Sequence, residues 1–451
     1  MQQRRFLDMN GYQWTVLFAA WLGWGFDIFD GLLYALVADK AVPTLLGIPI
    51  GSDAAKQAVP FWNGILGSLL LIGWAIGGIT FGRITDRFGR TRTLLLTMVL
   101  YSLGTAACAF APNIWVLMLF RVAVAFGIGG EWAAGAAMVA EVVPEKRRIE
   151  AGAILYTSAP IGLLFANAVS YQIVGNWFKG SPEVSWRYLF ACGLLPAFVA
   201  FLVRLFIKEP QKWEAATDGG KRASPAIAEL FTPALRRATL GGVAMALVAL
   251  ITWWSCNTFA SVIAAQMAGA AAKAEGLTKA ATLQLVEGWK SLALVCFCVG
   301  GLIGTLLTVP AAKHLGRRAM FGIYFLLGAV AVIGTFGLDL APVTRLYGFF
   351  PIGLTVFGVF GSFTYYLPEL YPTRLRGTGA GFTYNVGRII AAIGPFWVGM
   401  VAKQGLESAF RALVWVGCVP LVGLALLPWI TETKGRTLDT LDEGVSGAID
   451  R

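Results

Sequence analysis

Long apolar runs, repeated about a dozen times, constrain this chain more than any other feature, because each is about 20 residues or slightly longer, the length a helix needs to cross the hydrocarbon layer. They fall at 12–38, 60–82, 93–110, 113–141, 150–176, 186–207, 237–268, 286–311, 318–337, 342–367, 377–402 and 408–429. A soluble chain of 451 residues would not combine a mean hydropathy of +0.68 with only 14% charged residues. The sequence therefore predicts an all-α polytopic membrane protein with twelve crossings. Its 54 glycines suit helices whose backbones pack closely in lipid.

The formal charge of +11 is sorted along the chain. Arg4 and Arg5 precede the first run. Arg83, Arg87, Arg90 and Arg92 follow the second, and Lys146, Arg147 and Arg148 follow the fourth. Lys208, Lys212, Lys221, Arg222, Arg236 and Arg237 follow the sixth. Lys313, Arg317 and Arg318, then Arg374 and Arg376, then Lys434 and Arg436 follow the eighth, tenth and twelfth. With twelve crossings all these groups share one side, which the positive-inside rule makes cytoplasmic, with both termini there. The charge is a topology signal with some attraction to anionic lipid, not a nucleic-acid footprint. The opposite loops carry sparser, mixed charge: Asp39, Lys40, Asp53, Lys56, Lys273, Glu275, Lys279, Glu287 and Lys290. The six cysteines lie inside apolar runs and the sole histidine is His314. That pattern argues against a disulfide framework and a zinc site, and no metal or other cofactor is expected.

A polar stretch at 208–235 divides the chain into two sets of six runs, 1–207 and 236–451. The halves repeat one another. Glu141, Pro144 and Arg148 after the fourth run recur as Glu369, Pro372 and Arg376 after the tenth, about 228 residues later. Gly89-Arg90 recurs as Gly316-Arg317 at nearly the same offset. Two six-helix bundles related by an axis along the membrane normal form an alternating-access architecture.

On these residues the chain resembles the major facilitator superfamily. Gly78 to Arg92, with Asp86, Arg87, Gly89 and Arg90, matches the signature between helices 2 and 3. Arg121 with Gly127-Ile-Gly129-Gly130-Glu131-Trp132 is similar to the fourth-helix pattern of the sugar and organic-acid branches. Pro368 to Gly377 resembles the loop after helix 10, and Glu432 to Leu438 the ending of sugar porters and organic-ion carriers. Gly-Gly-Glu-Trp looks most like bacterial carriers of lactate, sialate and aromatic acids, which are commonly proton symporters. The second copy of the helix 2–3 signature is degraded, with His314 near the expected acid. The lactate-carrier histidine signature in helix 7 is absent, as is the glutamine pair of sugar porters.

Several ionisable residues fall inside the apolar runs. Asp27 and Asp30 sit three apart on neighbouring parts of one helix face. A charge at the bilayer centre costs about 3 kcal/mol on insertion scales, so such groups must face a cavity, pair, or hold a proton. Arg121 lies roughly 13 Å into helix 4, at a depth overlapping Asp27. An Asp27–Arg121 pair is therefore expected as a proton-coupling switch, and the resemblance points the same way. The alternative is a static salt bridge that makes Arg121 tolerable in lipid. Arg388 lies about 16–18 Å deep in helix 11 with no acid in that helix, which suits a bidentate fork for a carboxylate. Tyr384, Asn385, Trp253, Trp254, Asn257 and Tyr365 are further candidates for the substrate pocket, although tryptophan and tyrosine also anchor helices at interfaces. Asp86, Arg87, Arg90, Glu131, Glu141, Arg148, Glu369 and Arg376 lie at cytoplasmic helix ends. The resemblance implies that they form a charged gate; loop anchoring is the plainer reading.

These readings predict proton-coupled secondary transport of a small organic anion, with a carboxylate favoured. The expected setting is a bacterial inner membrane and the expected state a monomer in contact with lipid. A sugar or neutral metabolite is the nearest alternative cargo; an exchanger and a non-transporting sensor are further ones. An enzyme is not expected, and Gly127–Gly130 has neither the lysine nor the preceding strand of a phosphate loop.

Overall fold

The computed structural model describes residues 9–88, 90–144, 147–194, 198, 227–372 and 375–435. Twelve membrane helices are followed in it: α1 Gly11–Leu46, α2 Asp53–Phe88, α3 Arg90–Cys108, α4 Ile114–Val142, α5 Ile149–Trp177, α6 Pro182–Ala191, α7 Arg236–Ala274, α8 Lys279–His314, α9 Arg317–Gly337, α10 Pro342–Glu369, α11 Thr378–Ala402 and α12 Leu406–Trp429. Ten contain a stretch long and apolar enough to cross a membrane; α3 is apolar but shorter, and the described part of α6 is ten residues. No strand occurs among the described residues.

Local sequence sets several helix ends. Asn10 and Gln13 form a reciprocal capping box at the start of α1, at 2.8 and 2.9 Å. Gly47, at φ 68°, ends that helix in the left-handed conformation open to glycine. Asn113 and Thr278 cap α4 and α8. Four apolar runs prove markedly longer than expected, among them the second, Asp53–Phe88, and the eighth, Lys279–His314. α1 continues through Asp39 and Lys40 to Leu46, and α7 reaches Ala274. Asp39 and Lys40 are paired inside the protein, so helix α1 need not stop at them.

Glycine lets the helix backbones touch, and does so in matching places in both halves. A methyl on Gly77 of α2 would overlap the Phe126 carbonyl of α4, and one on Gly129 the Trp74 carbonyl. In the second half a methyl on Gly304 of α8 would overlap the Leu354 carbonyl of α10, and one on Gly353 the Phe297 carbonyl. Helices 2 and 4 thus pack as helices 8 and 10 do, which extends the sequence repeat into three dimensions. Helix α10 is irregular at that contact, with a π-helical turn at Gly353–Phe357 and a 3-10 turn at Gly358–Ser362. Such turns inside helices often mark functional positions.

Of the expected linker 208–235, only 227–235 falls among the described residues. It is not a free tether there. Ile227–Phe231 forms a 3-10 turn, Leu230 is fully buried, and Thr239 of α7 donates to the Leu230 carbonyl at 2.8 Å.

The halves meet along several seams. On the α2–α11 seam, Gly64 and Gly399 admit close backbone contact and Ser68 Oγ donates to the Ala392 carbonyl at 2.7 Å. Asn63 of α2 donates to the Thr258 carbonyl of α7 at 2.7 Å. Asn167 of α5 donates to Ser291 Oγ of α8 at 2.9 Å. The halves also touch at both ends of the space between them. At the face with the basic loops, Lys313 of α8 meets Glu150 of α5 at 2.6 Å, and Gly152 packs on Thr364. At the other face α1 and α8 are joined by ion pairs.

Candidate functional site

Between these contacts lies an aromatic centre around Arg388. Its guanidinium sits over the Trp74 ring of α2 at 4.3 Å and the Tyr384 ring at 4.5 Å. Nη1 donates to Asn385 Oδ1 at 2.9 Å. Arg388 is 3% exposed and makes no ion pair among the described residues, although Asp27 of α1 is within electrostatic reach. A guanidinium in hydrocarbon therefore survives on π-faces, an amide and a nearby acid. Cation–π contacts of this kind strengthen once water is excluded.

The walls come from both halves. Trp253 packs on Trp254 at 4.8 Å, Phe357 at 5.2 Å and Phe360 at 5.9 Å. Tyr156 of α5 stacks on Phe360 at 6.1 Å and meets Trp24 edge-on at 5.1 Å. Trp254 meets Trp74 edge-on at 5.8 Å. The structure thus brings together Arg388, Tyr384, Asn385, Trp253 and Trp254 as the sequence anticipates. Asn257 is buried one turn beyond Trp253. Tyr365 is not part of this group. Its hydroxyl donates to the Thr308 carbonyl at 3.4 Å and its ring lies under Arg317 at 5.9 Å, at the basic end of α10. Trp74, Tyr156, Phe357 and Phe360 were not singled out in the sequence. An aromatic residue inside an apolar run carries no mark of which way it faces.

Asp30 and Arg121 form a separate buried centre inside the first half. Arg121 Nη1 donates to the Asp30 carbonyl at 3.1 Å, and Nη2 donates to the Gly31 carbonyl. Its guanidinium lies 5.9 Å from the Tyr34 ring centroid, and Asp30, Tyr34 and Cys108 are its electrostatic neighbours. Both carboxyl oxygens of Asp30 are buried without a hydrogen-bond partner among the described residues. The expected Asp27–Arg121 pairing is thus replaced by two relations, Asp30 with Arg121 and Asp27 with Arg388. The reason is helical geometry: Asp30 lies one turn beyond Asp27 and slightly around the axis, which suits the depth of Arg121.

Of the expected gate, Glu369 accepts from Arg317 Nη2 at 2.7 Å and Nε at 3.1 Å, and from Thr433 Oγ1 at 2.6 Å. Glu131 is buried beside Thr97, whose hydroxyl lies 3.4 Å away. The side chains of Asp86, Arg87, Arg90, Glu141, Arg148 and Arg376 lie outside the described residues. Glu432, in the expected carrier-like ending, accepts the backbone N–H groups of Arg317, Arg318, Thr433 and Lys434 at 2.9–3.0 Å. Partial burial opposes its charge, but these four donors outweigh it and hold its carboxyl below the usual glutamate range.

One cluster was read only as loop charge. Lys40 of α1 meets Glu287 of α8 at 2.5 Å and Asp39 at 2.9 Å; Lys290 of α8 meets Asp39 at 3.1 Å and Glu287 at 3.2 Å. Two acids and two bases thus cross the inter-half seam with no net charge. The sequence signal was available: each pair lies within one turn of a helix, at the ends of two runs that face the same side.

Two six-helix groups packed around buried charge define a membrane transporter of the secondary-carrier kind. More particularly, the chain belongs to the Major Facilitator Superfamily, whose family model matches residues 41–395. It is thus a transporter embedded in the membrane and not an enzyme. Its relatives include the gentisate transporter of Corynebacterium glutamicum, 26% identical over 96% of this chain and 92% of that protein. Another is the niacin transporter NiaP of Acinetobacter baylyi, 27% identical over 96% of this chain and 98% of that one. Among solved structures, the xylose transporter XylE of E. coli in a partially occluded inward-open conformation superposes with a TM-score of 0.71. That likeness covers 95% of this chain and all of XylE at 17% identity, and so concerns the fold.

Proposed function

We propose that this protein is a proton-coupled symporter that carries a small ring-bearing carboxylate across a bacterial inner membrane by alternating access. Both termini are cytoplasmic, and the halves 1–207 and 236–451 rock about the buried centre. The observation that carries this reading is Arg388: a buried guanidinium at the seam, flanked by aromatic rings and without an ion pair among the described residues. A carboxylate is the ligand whose geometry a guanidinium matches with two parallel hydrogen bonds. The aromatic walls suit a flat ring behind that carboxylate. Gentisate and niacin, carried by two relatives, are both ring carboxylates, which supports the same class.

Coupling is assigned to Asp30 and Arg121, with Asp27 beside the anchor. The neighbourhood of Asp30 suits a carboxyl holding a proton, since Arg121 already donates to two backbone carbonyls. On loss of the proton, Arg121 would turn from Gly31 to the carboxylate and tighten the first half. One proton with one monocarboxylate adds no net charge, so the proton gradient supplies the driving force. The gate role of Asp86, Arg87, Arg90, Glu131, Glu141, Arg148, Glu369 and Arg376 belongs to the same scheme, parting when the basic face opens.

The test is uptake into liposomes of labelled aromatic acids and sugars, with and without an imposed pH gradient. Gradient-driven accumulation of an acid is expected, abolished by Arg388→Ala. Asp30→Asn should abolish accumulation and leave acid-for-acid exchange. Accumulation of a sugar but no acid would refute the cargo assignment, and undiminished accumulation in Asp30→Asn would refute the coupling assignment.

A further inference from the structure

Trp74 lies in α2, in the half opposite Arg388. It is 2% exposed, so it is not a lipid-facing anchor. Its ring covers the guanidinium from the first half while Tyr384 covers it from the second. Three donors of the aromatic centre, Trp74 Nε1, Trp253 Nε1 and Arg388 Nε, are buried without a hydrogen-bond partner among the described residues, and of the two indoles Trp74 is the one against the guanidinium. Buried tryptophan N–H groups usually find a partner, and an unmade one carries the full loss of its hydration. Were Trp74 present only to fill space, a phenylalanine or leucine would serve without that penalty. An unmade donor on the guanidinium and another on the indole against it are the complement of an anion.

We propose that Trp74 is a substrate-binding residue, its indole N–H donating to the carboxylate that Arg388 holds. The proposal rests on the reading of Arg388 as anion anchor. It also places one ligand contact on each half. An anion bridging Trp74 and Arg388 gains its full contact only when the halves are together, so cargo binding favours closure over either open state.

The experiment uses the purified full-length protein and equilibrium dialysis of radiolabelled benzoate, nicotinate and gentisate, with thermal unfolding of each ligand-free variant alongside. Trp74→Phe keeps a ring over Arg388 and deletes the N–H; Trp74→Leu removes both. The expected result is a ten- to hundredfold loss of acid affinity in Trp74→Phe, the effect of about one hydrogen bond to a charged group. Its ligand-free unfolding midpoint should be unchanged, and Trp74→Leu should bind more weakly still. If both variants bind like the parent while Arg388→Ala does not, the role of Trp74 falls and the anchor stands. If affinity in Trp74→Phe falls only together with ligand-free stability, Trp74 is packing and the proposal is overturned. If Arg388→Ala binds like the parent, or the parent binds none of the three acids, the anchor reading fails and takes this proposal with it.

Discussion

Replacing Glu287 by Gln removes one of the two acids in the four-charge cluster that joins α1 to α8. Lys40 and Lys290 then share Asp39 alone, and a neutral group becomes a net positive one. Breaking a fully buried ion pair costs about 3–5 kcal/mol. Lys40, Lys290 and Glu287 are 3%, 5% and 7% exposed, but Asp39 is 23% exposed and partly screened. A value below that range, about 2 kcal/mol, is therefore appropriate. The cost falls on the state in which α1 and α8 meet, because opening this face returns the charges to water. About 2 kcal/mol is a roughly thirtyfold shift towards the open state. The assay is the reaction rate of a membrane-impermeant maleimide at Ser291→Cys, near the cluster on the same seam, in a background with the six native cysteines replaced. Glu287→Gln should raise that rate by about tenfold or more. Adding Lys40→Met removes the surplus positive charge and should bring the rate back towards the parent. An unchanged rate in Glu287→Gln, or the same increase with and without Lys40→Met, would refute the argument.

Three further outcomes are expected. Gly77→Ala forces a methyl onto the Phe126 carbonyl and should lower stability by about 3 kcal/mol, read as a reduced unfolding temperature in detergent. Gly269→Ala, which meets open space, should not. Glu432 is a depressed carboxyl, so its contribution is present above the ordinary glutamate range and is lost as pH falls through its lower folded value. Hydrogen exchange at Thr433 and Lys434 should therefore speed up only in acid, whereas Glu432→Gln should show fast exchange at neutral pH. Arg388→Lys keeps the charge but loses the planar fork and much of the stacking, and should weaken carboxylate binding by about ten- to hundredfold by equilibrium dialysis, against the near-parent affinity expected if charge alone mattered.

The fold was legible because lipid imposes it: span length, alternate basic loops and the paired Glu-Pro-Arg motifs are local or periodic signals. Relative level along the helices was legible for the same reason, since helical rise brings Arg121 level with the acids of α1. Azimuth was not. Whether Arg121 meets Asp27 or Asp30 depends on rotation about α1 and on the tilt of α4, which no single run encodes. Tyr365 was misplaced because an irregular α10 changes how far successive residues advance and turn. Trp74 and Phe360 could not be told from tryptophans and phenylalanines that touch lipid. The Asp39, Lys40, Glu287 and Lys290 cluster was missed because charges near the ends of apolar runs ordinarily mark the water boundary, and only the meeting of α1 with α8 makes them interior.

Lys313 with Glu150 at one end and Lys40 with Glu287 at the other are joined in the same conformation. Each face therefore carries its own charged latch, and opening one means undoing an ion pair that the other does not share.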